Sequence, residues 1–418
     1  MHARRWFDWH SWVGLTAGLL LFVICWSGSV AVFSEEIDWL LDPARRVTPA
    51  GEMRSFGEWQ HAVAHAYPEL RIDAISAPRT PNSAAEALVE TSDGRLLRTL
   101  VNPYTAEVTG QTSYFNVQRF FRSLHMSLFD PGGKGIGYYV VMSFSFALIA
   151  SLVTSLLFYK RWWRRFFAWK NHPNRRAFWS DTHKLCGLWS LWFVALMAVT
   201  GVWYLIEFAG IGFDYPELEP VPGTARQGFM ATDELIASAQ RLAPDLRVTQ
   251  IYLPGGYYGP VAVMHGEDAT LLVRDRANVA ILDATNATAL LLRSGSELGW
   301  PARWVDTADP LHFGNFAGLI GKTLWFLFGT ILSGLCLTGA YLHLQRQKRT
   351  RAVGNEYRRA VIAAYALTCV VLLAAVVGAV QEIARYGSPS PPVAVHLFIA
   401  VWTLSTLSVL FAWMRRLR

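Results

Sequence analysis

The chain has 418 residues, 52% of them hydrophobic, with 18 Trp and a formal net charge of +7. That is more apolar and more aromatic than a soluble enzyme of this size, and the cations fall in short blocks between apolar stretches, a pattern of membrane topology that calls for no nucleic-acid partner. The four cysteines, Cys25, Cys186, Cys336 and Cys369, all lie inside apolar stretches without CxxC spacing, which excludes a disulfide-stapled external domain, a zinc site and an iron–sulfur cluster.

Crossing a hydrocarbon core of about 30 Å takes roughly 20 mostly apolar residues, and six stretches are predicted to do so: 12–33, 136–159, 185–206, 319–343, 360–380 and 393–413. Residues 1–33 hold the first; Arg4 and Arg5 precede it, but Cys25-Trp26-Ser27-Gly28 is a poor cleavage site, so it reads as a helix and not a signal peptide. Residues 34–135 read as a small α+β domain: an amphipathic helix over 56–63, the turn Pro68-Glu69-Leu70-Arg71, then strands at 87–90 and 96–101. After the second span, 136–159, the loop 160–184 carries Lys160, Arg161, Arg164, Arg165, Lys170, Arg175 and Arg176. The third span, 185–206, leads to a second α+β domain at 207–318, with a helix over 233–239, the turn Pro244-Asp245-Leu246-Arg247, and strands at 261–264 and 270–273. The fourth span, 319–343, ends in the basic loop 344–359 with Arg346, Lys348, Arg349 and Arg351; residues 360–413 supply the fifth and sixth, and Arg415, Arg416 and Arg418 close the chain. Basic segments stay on the cytoplasmic side. Both termini are therefore expected there, with both α+β domains on the opposite face.

The chain is a repeat. Trp6-Phe7-Asp8-Trp9-His10-Ser11-Trp12-Val13-Gly14-Leu15 aligns without a gap on Trp179-Ser180-Asp181-Thr182-His183-Lys184-Leu185-Cys186-Gly187-Leu188, and the same shift sets Ser27-Gly28 on Thr200-Gly201. Before the return spans, Leu124-His125-x-x-x-Phe129 matches Leu311-His312-x-x-x-Phe316. The fold class that follows is a membrane protein with a four-helix core of two parallel repeats related by a two-fold axis along the membrane normal, two further C-terminal helices, and two small external α+β domains.

Histidine in a membrane is costly unless partnered, and so is a functional candidate. His10 and His183 fall at the cytoplasmic ends of the first and third spans, His125 and His312 at the outer ends of the second and fourth. The two-fold makes each pair mates, so a planar cofactor on the axis would receive one imidazole from each side. Two haems with two axial histidines each fit that description, and such a site has no open coordination position, which favours electron transfer. Gly14 and Gly187, four residues after their histidines and on the same helix face, leave room for a porphyrin edge. Asp8 and Asp181 read more simply as helix N-caps than as groups orienting the imidazoles. Two alternatives stand beside this one: histidines that only hydrogen-bond across packed helices, or a proton-relaying transporter, against which the scarcity of charged residues in the spans argues.

His343 lacks a symmetric mate, since aligning Tyr341 on Tyr159 sets Arg161 opposite it; His396 and His172 lack mates too. His61 and His65 read as a solvated helix face, and Pro131-Gly132-Gly133-Lys134-Gly135 lacks the spacing of a phosphate loop. Arg119, Arg122, Lys134, Arg303 and Lys322, clustered around the outer histidines, are candidates for haem propionates or an anionic substrate, with membrane-interface anchoring as the other account.

With these features laid out, residues 1–350 resemble the PepSY-associated transmembrane family, the likeness resting on the His10 and His183 segments ahead of apolar helices, the Leu124-His125 and Leu311-His312 pairs, and the basic tail of the fourth span. The family includes iron-regulated inner-membrane proteins, among them two-haem reductases that release iron from ferric siderophores in the periplasm. The resemblance implies haem b held by His10, His183, His125 and His312, PepSY-like external domains in the periplasm, and a bacterial inner-membrane oxidoreductase. It also implies electron delivery to a periplasmic ferric siderophore. No GxGxxG or flavin motif lies on the cytoplasmic side, so the donor is expected to be a separate cytoplasmic reductase or the quinone pool. PepSY domains also occur in non-enzymatic accessory proteins, the competing expectation.

Overall fold

The computed structural model describes residues 2–167, 174–211, 228–350 and 355–417; Lys170, His172, Arg351 and Arg418 of the basic segments lie outside them. The first apolar stretch is not one straight helix. It is α1 (His2–Thr16) and α2 (Gly18–Ala31), bent by 66° at Ala17. Thr16 Oγ1 donates back to the Trp12 carbonyl at 2.9 Å, and Gly18 opens the next helix, the combination of hydroxyl back-bonding and glycine that bends helices.

Two short helices and four strands follow: α3 (Ser34–Leu41), α4 (Phe56–Ala66), and β1 (Arg71–Ser76), β2 (Ala85–Glu90), β3 (Leu96–Val101) and β4 (Val108–Ser113). The chain then re-enters the helical layer as α5 (Val117–Ser127), turns through three left-handed residues, Leu128, Phe129 and Asp130, and runs on as α6 (Ile136–Phe158). The second unit repeats this plan with α7 (Arg175–Trp189), α8 (Leu191–Phe208), α9 (Thr232–Leu242), β5 (Arg247–Tyr252), β6 (Val261–Glu267), β7 (Asn278–Asp283), β8 (Ala289–Arg293), α10 (Trp300–Phe313) and α11 (Gly318–Thr350). Even the break recurs: the shift that carries His10 onto His183 carries Ala17 onto Ser190, the residue between α7 and α8. Two long helices, α12 (Asn355–Tyr386) and α13 (Val393–Leu417), close the chain. Among the described residues five helices, α6, α8, α11, α12 and α13, are long and apolar enough to cross a membrane, and α1–α2 qualifies as a bent pair.

The two α+β units, α4 with β1–β4 and α9 with β5–β8, share one sheet. The eight strands form a single antiparallel sheet in the order β4-β3-β2-β1-β5-β6-β7-β8, joined at its centre by β1 and β5 with Ile75 opposite Ile251. Helices α4 and α9 share one core on it: Trp59 and Val63 from one, Leu235 and Ala239 from the other, with Ile75, Ile251, Val89 and Met264 beneath. Helix α9 also caps α4, since the Asp233 carboxylate accepts from the Gly57 amide at 2.8 Å and from Ser55 Oγ at 2.6 Å, placing negative charge at the N-terminus of α4. The Pro-acidic-Leu-Arg turn ends in an ion pair of the same kind in each repeat, Arg71 with Glu90 and Arg247 with Glu267. The strand expected at 270–273 does not form. Asp268 caps the Thr270 amide and Leu272 sits at φ +58°, outside extended geometry; the strand that pairs with β6 is β7.

Ile75 and Ile251 are both buried at the seam. Ile75→Ala or Ile251→Ala is expected to lower the stability of the sheet by about 2–5 kcal/mol, with a double variant departing from additivity because the side chains are register partners. Thermal unfolding of the detergent-solubilised chain, followed through the buried Trp59, checks this.

Candidate cofactor site: two apposed histidine pairs

The outer histidines are not at the ends of the spans, as the sequence suggests, but on separate short helices. His125 is on α5 and His312 on α10, each cut off from the following long helix by a left-handed turn. Gly314, at φ +71°, ends α10, and a Cβ there would fall 2.4 Å from Trp325, so the turn admits only glycine. His10 on α1 and His183 on α7 form the layer farther from the sheet. The four rings meet in the pairs that the repeat implies: His10 and His183 with ring centroids 6.5 Å apart, His125 and His312 at 6.0 Å.

Each ring is held by the same nitrogen. His10 Nδ1 lies 3.1 Å from the Ser151 carbonyl and 3.3 Å from Thr154 Oγ1, both on α6. His125 Nδ1 lies 2.8 Å from the Ile24 carbonyl on α2. His183 Nδ1 meets Thr338 Oγ1 at 2.8 Å, and His312 Nδ1 meets Thr200 Oγ1 at 2.8 Å. Both threonine hydroxyls spend their one hydrogen on a helix carbonyl, Thr338 on Gly334 and Thr200 on Leu196, each at 2.8 Å. They therefore accept from the imidazole, as the carbonyls do, so Nδ1 carries the proton in all four rings and Nε2 keeps its lone pair. That is the arrangement of a metal-ligating histidine whose second nitrogen is fixed by an outer partner.

The spacing agrees. Two metal–imidazole bonds of about 2 Å, with about 1 Å from each nitrogen to its ring centre, set a bis-histidine pair roughly 6 Å apart. Among the described residues no group of three or more His, Cys, Asp or Glu side chains converges, so each layer offers a metal two nitrogens, the donor set suited to an iron whose other positions belong to a macrocycle. Room for a flat group exists at the farther layer, where a Cβ built on Gly14 or Gly187 would meet no atom within 4 Å. The residues present fit haem. Other glycines act oppositely, as close contacts: a Cβ on Gly28 would fall 2.5 Å from His125 Cε1, and one on Gly339 would fall 3.2 Å from His183 Cε1.

Asp8 and Asp181 do not cap helices. α1 and α7 start well ahead of them, Asn174 caps α7, and the two aspartates pair with Arg346 at 3.7 Å and Lys184 at 3.1 Å. The shared role of Thr154 and Thr338 makes them repeat mates, which sets His343 opposite Tyr159 rather than Arg161. Arg119 and Lys322 are already paired. Arg119 Nε lies 2.6 Å from Glu382, its guanidinium over the adjoining rings of Tyr114 and Tyr386, and Lys322 Nζ lies 2.7 Å from Glu36. Arg303 donates to the Leu271 carbonyl. Arg122 and Lys134 are exposed, as are His61, His65 and His396. The partners missed from sequence were Thr154, Thr200, Thr338 and the Ile24 carbonyl; the alignment of Ser27-Gly28 on Thr200-Gly201 was the one available signal.

Helix α5 is anchored at its N-terminus by Asp38 of α3, whose carboxylate accepts from the Val117 and Gln118 amides at 2.9 Å each, while Asn116 takes the Arg119 amide. Burial pushes the Asp38 carboxyl up to about 6, against the pull of Arg45, Arg98 and those two amides.

A family model described as the PepSY-associated TM region matches residues 7–346. An uncharacterised protein of Pseudomonas aeruginosa is 27% identical over 260 residues, covering 54% of this chain and 62% of that protein's length.

Thr200→Val and Thr338→Val each leave a buried Nδ1–H without an acceptor, an expected loss of about 1–3 kcal/mol that Thr→Ser avoids; thermal midpoints of the wild type and of the Val and Ser variants at each site compare them. Because the folded-state value of Asp38 lies above the roughly 3.9 of an unfolded aspartate, its contribution to stability is complete below about pH 4 and is lost as pH rises through about 6. Asp38→Asn is expected to flatten the fall in melting temperature between those values, measured in parallel pH series.

Proposed function

Because the chain belongs to the PepSY-associated transmembrane family, we propose that it is a bacterial inner-membrane electron carrier holding two b-type haems between its histidine pairs. Electrons enter from a cytoplasmic reductase or the quinone pool and leave to a ferric siderophore on the periplasmic side, where the metal is reduced from ferric to ferrous and released. In this reading the helices cross the bilayer six times with both termini cytoplasmic and the eight-stranded sheet in the periplasm, and lipid covers the outward faces of α12 and α13. The observation that carries it is the pair of imidazole pairs at 6.5 and 6.0 Å with every Nδ1 tied to an acceptor.

When bound, haem supplies a one-electron iron couple. His10 with His183 and His125 with His312 would hold the two haems, each ring presenting Nε2 in a tautomer fixed through Nδ1. Tying the rings to four different helices, α2, α6, α8 and α11, limits their movement between oxidation states and so limits reorganisation. The apolar helices around them exclude water, which strengthens the influence of nearby fixed charges. In this reading His10 with His183 is the pair nearer the cytoplasm and His125 with His312 the pair nearer the sheet, an order that suits transfer from one side to the other.

A visible spectrum of the purified protein, oxidised and then reduced, is expected to show a b-type haem signal with two haems per chain. Alanine at His10 or His183 removes one component and alanine at His125 or His312 the other; the pre-reduced protein then reduces a ferric siderophore. A wild-type protein without the signal overturns the reading in favour of an accessory whose histidines only pack.

A further inference from the structure

The last two helices stand outside the repeat, yet they complete it. Arg119 lies six positions ahead of His125, and Asp306 six positions ahead of His312. Both sit on the helix that carries their histidine, and both are engaged in an ion pair, but with the charges exchanged. Asp306, fully buried, receives Arg274 at 2.8 Å and Arg276 at 3.0 Å from the segment leading into β7 of its own unit. Arg119 finds its carboxylate outside its own unit, in Glu382 of α12.

Helix α12 grips α5 and the turn after it at three heights. Two turns before its end, Gly378 lies so close to Phe129 that a Cβ would fall 2.8 Å from the phenylalanine Cβ. One turn on, Glu382 Oε1 accepts from Ser123 Oγ at 2.8 Å and forms the ion pair with Arg119. At its end, the Tyr386 carbonyl accepts from the Phe115 amide at 3.0 Å while its ring covers the Arg119 guanidinium at 4.0 Å. From α13, Trp402 seals the opposite side against Phe121 and Trp26. The α10 side has a network of its own: Arg274 also reaches Asp309 at 2.8 Å, and Asp309 accepts from Tyr204, whose ring lies 5.2 Å from that of His312.

We propose that Glu382 is a positioning residue for His125, and that the α12–α13 hairpin is the element that sets the electrostatics of the centre nearer the sheet. The proposal rests on the haem reading above. A carboxylate at this place favours the more positive, oxidised state of a nearby centre, and its removal also leaves the Arg119 charge uncompensated. Both effects act in one direction, toward easier reduction of that centre alone.

Glu382→Gln keeps the shape and removes the charge. In a redox titration of the full chain followed by its visible bands, one of two midpoints is expected to rise, by about tenfold in the reduction equilibrium or about 59 mV for a one-electron couple, while the other stays. Hydrogen exchange of residues 117–127, read by mass spectrometry on the haem-free protein, is expected to quicken in the same variant while residues 300–313 keep their wild-type rate. The double variant Arg119→Glu with Glu382→Arg reproduces the polarity of the other unit and is expected to restore both readouts. Unchanged midpoints with both bands present, midpoints that move together, unaltered exchange over 117–127, or a Glu382→Gln defect that the double variant does not repair overturns the proposal. A wild-type chain without haem bands overturns the haem reading instead, and the exchange data then still decide whether Glu382 holds α5.

Discussion

Four imidazoles set among apolar helices are tolerable only if each has a fixed partner for its N–H, because a polar group left alone there costs several kcal/mol. This requirement organises the helical layer. Each histidine must reach a carbonyl or a hydroxyl on a neighbouring helix, so α1 lies against α6, α7 against α11, α5 against α2 and α10 against α8. The bend at Ala17 follows from the same need, because it turns α1 away from α2 while His10 remains apposed to His183, and the break at Ser190 falls at the matching place in the second unit. The short helices α5 and α10 follow from it too, since a straight return helix would carry its histidine past the carbonyl or hydroxyl that receives it.

Much of this plan was legible in the sequence because it is stated twice. The gapless match of the two Trp-x-Asp-x-His-x-x-x-Gly-Leu segments paired His10 with His183, and Leu-His-x-x-x-Phe paired His125 with His312; both pairs meet in the structure. What stayed hidden is what hydropathy does not encode. An apolar run reads the same whether it is straight or bent, so the break at Ala17 left no mark beyond Thr16 and Gly18. The Leu128–Asp130 turn separates α5 from α6 and begins on Leu128 and Phe129, which are not turn formers, with Asp130 accepting from the Gly135 and Gly137 amides. Threonine partners such as Thr200 and Thr338 look like ordinary helix residues until the imidazole is seen beside them.

The charged residues near the outer histidines teach a related lesson. Sequence placed Arg119 and Lys322 together and suggested an anion; folding brought carboxylates from α3 and α12 to both. Proximity along the chain reported the neighbourhood correctly and the partners wrongly, since Glu382 is more than two hundred positions from Arg119 and belongs to helices that the repeat does not contain.

The seam between β1 and β5 has a consequence for how such a chain arises. It joins equivalent strands antiparallel, Ile75 against Ile251, so the surface that each half offers is the surface that it meets. A chain of half this length would carry the same strand as an open edge, and its natural mate would be a second copy in an isologous dimer. Fusing the two copies makes the pairing independent of concentration. It also frees each half to diverge, so that one of them accepts a hairpin and a reversed ion pair that a symmetric dimer would have to carry twice.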